Sequence, residues 1–146
     1  MAKTTTFASD MLDYALRGEI PPWHGATSLY VSLHTGDPGV DGVQTTKEVS
    51  YPGYARVETP TSAWSAATLE TVQGIDDLAS VVRNAIKVAF PKCTGQSSDV
   101  AKFFGLGLSA NGDGYLMYTG AITEPFGFAL NSTFEATPGS LYFVEI

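Results

Sequence analysis

With 146 residues, a net charge of -7 and only eight basic residues scattered singly, the chain is long enough to bury one core and too acidic to grip nucleic acid through its phosphates. One cysteine, Cys93, excludes an internal disulfide and cannot furnish a zinc site, and it points to maturation in a reducing compartment. No apolar run approaches the roughly 18 residues of a membrane span, and MAKTTTFASDML lacks the apolar stretch of a signal peptide, so a soluble single domain is expected.

Residues 6–17, TFASDMLDYALR, carry Phe7, Met11, Leu12, Ala15 and Leu16 at helical spacing. Thr5 or Thr6 is the expected cap and Gly18 the left-handed stop, giving an N-terminal helix over 6–18. The proline-rich connector 19–27 then forbids helix and places Trp23 on an extended segment. From there to 146 the pattern is that of strands.

In 29–34, Leu29, Val31 and Leu33 face one way and Tyr30, Ser32 and His34 the other. Residues 36–50 are too rich in Gly, Asp and Thr to pack and read as a long exposed loop. Strands are expected at 53–59, 81–90, 100–108, 115–120, 126–130 and 140–146, with 60–79 ambiguous between a short helix and two poor strands. Seven or eight short strands after one leading helix predict a mainly β chain, a single-domain β-sandwich or jelly roll with an N-terminal α-helix.

Chemistry-bearing motifs are few. GLGLSA (105–110) matches a dinucleotide fingerprint, but Asn111-Gly112-Asp113-Gly114 follows as a hairpin turn where a helix would have to start. Its glycines are expected to let a strand bend or a neighbour approach closely. His34 and Asp37 lack any nucleophile on a strained turn, so no catalytic residue is assigned. Asp37, Asp41, Asp99 and Asp113 do not follow the spacing of a calcium loop, and no metal or cofactor is expected. The Asn131-Ser132-Thr133 sequon would matter only in a secretory pathway, and Asp76-Asp77 reads as a solvated turn. Trp23 and Tyr51, on proline-flanked loops, are candidate anchors of a protein interface.

The segments TFASDMLDYALRG, LYVSLHTGDPGVDG and TTKEVSYPGYARV together resemble a family of small tailed-bacteriophage virion proteins. That family is often labelled tail fibre, and small phage proteins of this build also serve as capsid cement. The match covers about residues 6–58. The resemblance implies a non-enzymatic virion structural protein, assembled in the bacterial host cytoplasm. In the first reading it is a cement or decoration protein that staples the head shell, its partners being the major capsid protein and neighbouring copies of itself, with homo-oligomers on the shell. A tail fibre-base or baseplate component is the alternative, and a host-surface carbohydrate-binding module a second one. Neither nucleic acid nor membrane is expected as a partner. Trp23, Tyr51 and the 36–46 loop with Asp37, Pro38 and Asp41 are the expected contacts, and Arg56 an ion-pair partner.

Overall fold

In the computed structural model, which describes residues 2–145, the period-two segments pair into three antiparallel sheets. The largest runs β1 (Ala2–Lys3), β8 (Leu116–Gly127), β7 (Val100–Gly107), β2 (Ser28–His34), β3 (Val57–Pro60). A second sheet runs β10 (Tyr142–Glu145), β5 (Leu78–Arg83), β4 (Thr68–Thr71), and β6 (Val88–Ala89) pairs with β9 (Glu135–Ala136). The chain is mainly β with one N-terminal helix, consistent with a β-sandwich.

Alternation along β2 decides what each face of the large sheet meets. Val31 and Leu33 lie opposite Leu106 and Phe104 of β7, and all four join the buried cluster with Phe143 of β10, Val88 of β6 and Phe90. Phe104 and Phe143 meet edge-on at 5.6 Å, which ties the large sheet to the second one. On the opposite face, Ser32 and His34 pair in register with Gly105 and Phe103. That face is covered by the segment after β2.

Several boundaries differ from the sequence reading. The helix α1 spans Thr5–Arg17, and its cap is Thr4, whose hydroxyl accepts from the Phe7 amide at 3.3 Å while donating to the Leu116 carbonyl. Gly18 closes it at φ 69°, as its position in the sequence suggested. Two residues ahead of the helix already belong to the large sheet. The strand expected at 53–59 begins only at Val57, because Tyr51–Tyr54 close a turn around Gly53 at φ 95°. The strand expected at 81–90 is broken at buried Asn84, whose amide donates to the Ile86 and Thr137 carbonyls and accepts from the Leu141 amide. That side chain satisfies three backbone groups that a continuous ladder would have used, so Ile86 turns out to solvent. The ambiguous 60–79 stretch holds a 3-10 turn at Thr61–Ala63 and strand β4. In β8, pairing with β7 jumps from Phe103–Ala121 to Ala101–Phe126, so Ile122–Pro125 have no opposite residue on β7, and Ile122 packs against the core.

Candidate functional site

The residues between β2 and β3 do not wave free; Gln44 and Arg56 brace them to the 109–114 turn. Gln44, fully buried, uses its carboxamide as a peptide group would: Oε1 accepts from the Ser109 amide at 3.0 Å and Nε2 donates to the Ser109 carbonyl at 3.1 Å. Gly107 and Gly114 make that possible, since a Cβ on either would fall 2.3 Å from Gln44 Cδ or 1.8 Å from its Oε1. Arg56 completes the brace. Its Nε and Nη2 donate to the two Glu48 carboxylate oxygens at 2.7 and 2.9 Å, and Nη1 and Nη2 donate to the Ser109 and Gly112 carbonyls at 3.0 and 2.7 Å. A planar guanidinium fits that set of acceptors; an ammonium would not. Arg56 is 3% and Glu48 13% exposed in their side chains. Burial works against the Arg56 charge, and the Glu48 contacts more than offset it, leaving its pKa raised. The Tyr54 hydroxyl donates to Glu48 at 2.6 Å; burial first, and that carboxylate second, push its pKa well up.

His34 closes the other end. Its Nδ1 must donate to the Thr46 carbonyl at 2.8 Å, which leaves Nε2 to accept from the Ser32 hydroxyl at 2.8 Å. Both side chains are fully buried, and Gly105 leaves them room, since a Cβ there would lie 2.8 Å from Nε2. Burial lowers the His34 pKa, with the Thr46 carbonyl opposing it. A serine–histidine pair sealed from solvent has no path to a substrate. It is a loop anchor.

The sequence-derived contact residues scatter. Tyr51, expected as an exposed anchor, is 2% exposed: its ring stacks on Phe128 at 3.9 Å and its hydroxyl donates to the Pro91 carbonyl at 2.7 Å. Burial, then nearby Cys93, push that hydroxyl up to about 12. The turn at Gly53 folds the ring inward, so Tyr51 is core. Arg56, expected to pair with a partner, is committed inside the brace, and Pro38 is buried. Asp37 and Asp41 remain exposed, Asp37 accepting from the Gly39 amide at 2.9 Å. Trp23 sits on a turn at Pro22–Gly25, not an extended connector, half-buried between Phe7 at 5.8 Å and Tyr14 at 5.5 Å. Burial, then the Asp10 carboxylate, push the Tyr115 pKa up, and the neighbouring Trp23 indole N–H is buried without a hydrogen-bond partner. The indole ring packs between Phe7 and Tyr14.

Gln44 and Glu48 were missed because polar residues on a Gly-, Asp- and Thr-rich segment look solvent-facing, and Tyr54 because its place in an expected strand says nothing of its hydroxyl. The available signal was an arginine and a glutamine bracketing a loop opposite a Gly-x-Gly strand. An open groove of about 800 Å³ runs beside β8, with Glu124, Glu135 and Tyr142 in its lining, and Glu135 faces Lys87 at 3.5 Å. Among the described residues no three His, Cys, Asp or Glu side chains converge as a metal cluster, and no helix is long and apolar enough to cross a membrane.

An antiparallel slab whose prominent polar side chains brace its own loops has the build of a structural protein. Residues 2–143 match the family described as podophage GP4 fiber I protein gp80, and the chain belongs to that family. It is a phage virion structural protein. No curated protein matches it significantly.

Proposed function

We propose that the protein is a non-enzymatic cement or decoration protein that docks on the outside of the phage head shell and holds neighbouring coat subunits together. The observation that carries this reading is the brace: with Gln44 and Arg56 pinning the loop, exposed Asp37, Val40 and Asp41 are presented on a backbone already ordered. A pre-ordered surface loses little conformational entropy on docking. Binding only the assembled shell stabilises that shell by linkage, and a small gain per copy grows over a lattice. The acidic surface suits the exterior of a particle packed with DNA.

A second reading, a tail fibre-base or baseplate component, is favoured by the family's description as a fibre protein. Purified chain incubated separately with empty heads and with tails distinguishes them. Saturable retention on heads is expected; retention on tails alone would replace the first reading with the second.

A further inference from the structure

Strand β4 (Thr68–Thr71) ends the second sheet, and no strand among the described residues covers its outer flank. Which backbone groups face that flank follows from the pairing of β5. The Asn84 amide donates to the Leu141 carbonyl at 3.0 Å in the register that pairs Val82 with Phe143, so Ser80 and Val82 turn their main-chain groups to β10. Ala79 and Val81 therefore turn theirs to β4, where they meet Glu70 and Thr68. Leu69 and Thr71, one residue out of step, point their N–H and C=O groups away from the sheet. The side chains alternate as well. Leu69 lies beside Ser80 and Thr71 beside Leu78 on one face, with Leu69 68% and Leu78 61% exposed. Glu70 lies on the other face, where its carboxylate accepts from Arg83 Nη2 at 2.8 Å and from the Thr68 hydroxyl at 2.9 Å. Those bonds hold the edge in place. They also leave it unguarded: β4 carries no lysine or proline, and its one charge is matched within its own sheet.

We propose that β4 pairs with β4 of a second copy, antiparallel about a two-fold axis at Leu69, so that two three-stranded sheets become one sheet of six. The strand's own pattern selects this partner and this register. An antiparallel ladder joins outward-facing residues to each other, which leaves two registers in which β4 overlaps itself by more than one residue. One sets Leu69 against Thr71 and Glu70 against Glu70, a like-charge pair directly opposed. The other sets Leu69 against Leu69, and each Glu70 then faces Thr68 of the second copy. No charge opposes its like in that register, and the free N–H and C=O of each Leu69 find the C=O and N–H of the other. An axis normal to the sheet keeps each face with its like, so Leu69 and Leu78 of both copies form one apolar strip. The contact is self-complementary and closed, so it makes dimers and not open fibres. Its few residues place it at the small end of specific interfaces, which suits a contact repeated within an assembly. The pairing rests on the assembly reading above for its place in the virion, but it is tested on the isolated chain and can fail while docking on heads or tails stands.

Cross-linking and sedimentation equilibrium of the full chain test it. In this register the two Leu69 Cα atoms lie about 5.5 Å apart, a separation that a disulfide spans without strain. The native Cys93 is buried and does not compete. Under mild oxidation Leu69→Cys should form a covalent dimer, while Leu78→Cys, on the next strand and similarly exposed, should not. The parent should show a monomer–dimer equilibrium, weakened at least about 30-fold by Leu69→Lys, which removes both leucines from the axis and opposes two like charges. At concentrations where both are monomeric, the melting curve of Leu69→Lys should match the parent, because Leu69 is largely exposed in the monomer. A parent chain that stays monomeric at every concentration, a dimer indifferent to Leu69→Lys, or Leu78→Cys cross-linking as readily as Leu69→Cys overturns the proposal. A cross-link that forms only when Leu69→Cys is mixed with Thr71→Cys overturns the register. If the parent is monomeric while Leu69→Lys is lost from virions, self-pairing is overturned and the edge takes a strand of another virion protein.

Discussion

Replacing Arg56 by Met keeps the aliphatic stem and removes only the guanidinium. Four acceptors then lose a donor: both Glu48 oxygens and the carbonyls of Ser109 and Gly112. Glu48, 13% exposed, is left with the Tyr54 hydroxyl at 2.6 Å. Removing one member of a buried ion pair costs about 3–5 kcal/mol. Because Glu48 keeps one hydrogen bond and some access to water, the low end applies, about 3 kcal/mol. For a domain of this size that corresponds to a fall in Tm of about 6–12 °C. Thermal and urea unfolding read it directly. Arg56→Lys should fall between parent and Met, since one ammonium cannot serve all four acceptors. In a double-mutant cycle with Glu48→Gln, the two losses should be strongly non-additive. A loss below about 0.5 kcal/mol for Arg56→Met, the scale of an ordinary surface change, would refute the brace.

Acid should weaken the fold through His34. Its pKa is lowered by burial, so the unfolded chain binds the proton that the folded chain resists; stability is whole above the ordinary value near 6.5 and declines as pH falls below it. Urea unfolding in steps from about pH 7.5 to 5.5 should show that slope; the same slope in His34→Gln would contradict the assignment. Gly107→Ala puts a methyl 2.3 Å from Gln44 Cδ, with an expected loss of about 1–3 kcal/mol. It should also speed hydrogen exchange at the Ser109 amide, and unchanged protection there would show that Gln44 is not the clamp. Tyr51→Phe keeps the stack on Phe128 and loses the bond to Pro91, about 1 kcal/mol. Its retention on heads or tails should match the parent; a stable variant that fails to bind would return Tyr51 to the interface.

The regular elements were legible because local rules and tertiary context agree in them. Thr and Gly bracket α1, alternation marks β2, and Asn111–Gly114 close the turn before β8. Legibility failed where one side chain replaces backbone pairing. Gln44 looks like a loop polar residue and Asn84 like one position of a continuous strand, yet both are buried and satisfy main-chain groups from distant segments, which no periodicity records. Tyr51 was misjudged because proline neighbours suggest exposure, whereas the turn at Gly53 points the ring inward. The α1 stripe shows the converse. Phe7, Met11, Leu12, Ala15 and Leu16 mark a helix by their spacing, yet they do not share one face: Phe7 is buried while Leu12 and Leu16 are 63% and 80% exposed. The segment from His34 to Glu48 shows the same mixture: His34 and Gln44 are buried and hold it in place, while Asp37, Val40 and Asp41 are among its exposed residues.

Counting copies of the protein in purified particles by quantitative mass spectrometry tests the central claim most directly. The account predicts that it is a stoichiometric component of the virion, at a number commensurate with the capsid lattice if it is cement. Purified particles that lack the protein would contradict the account.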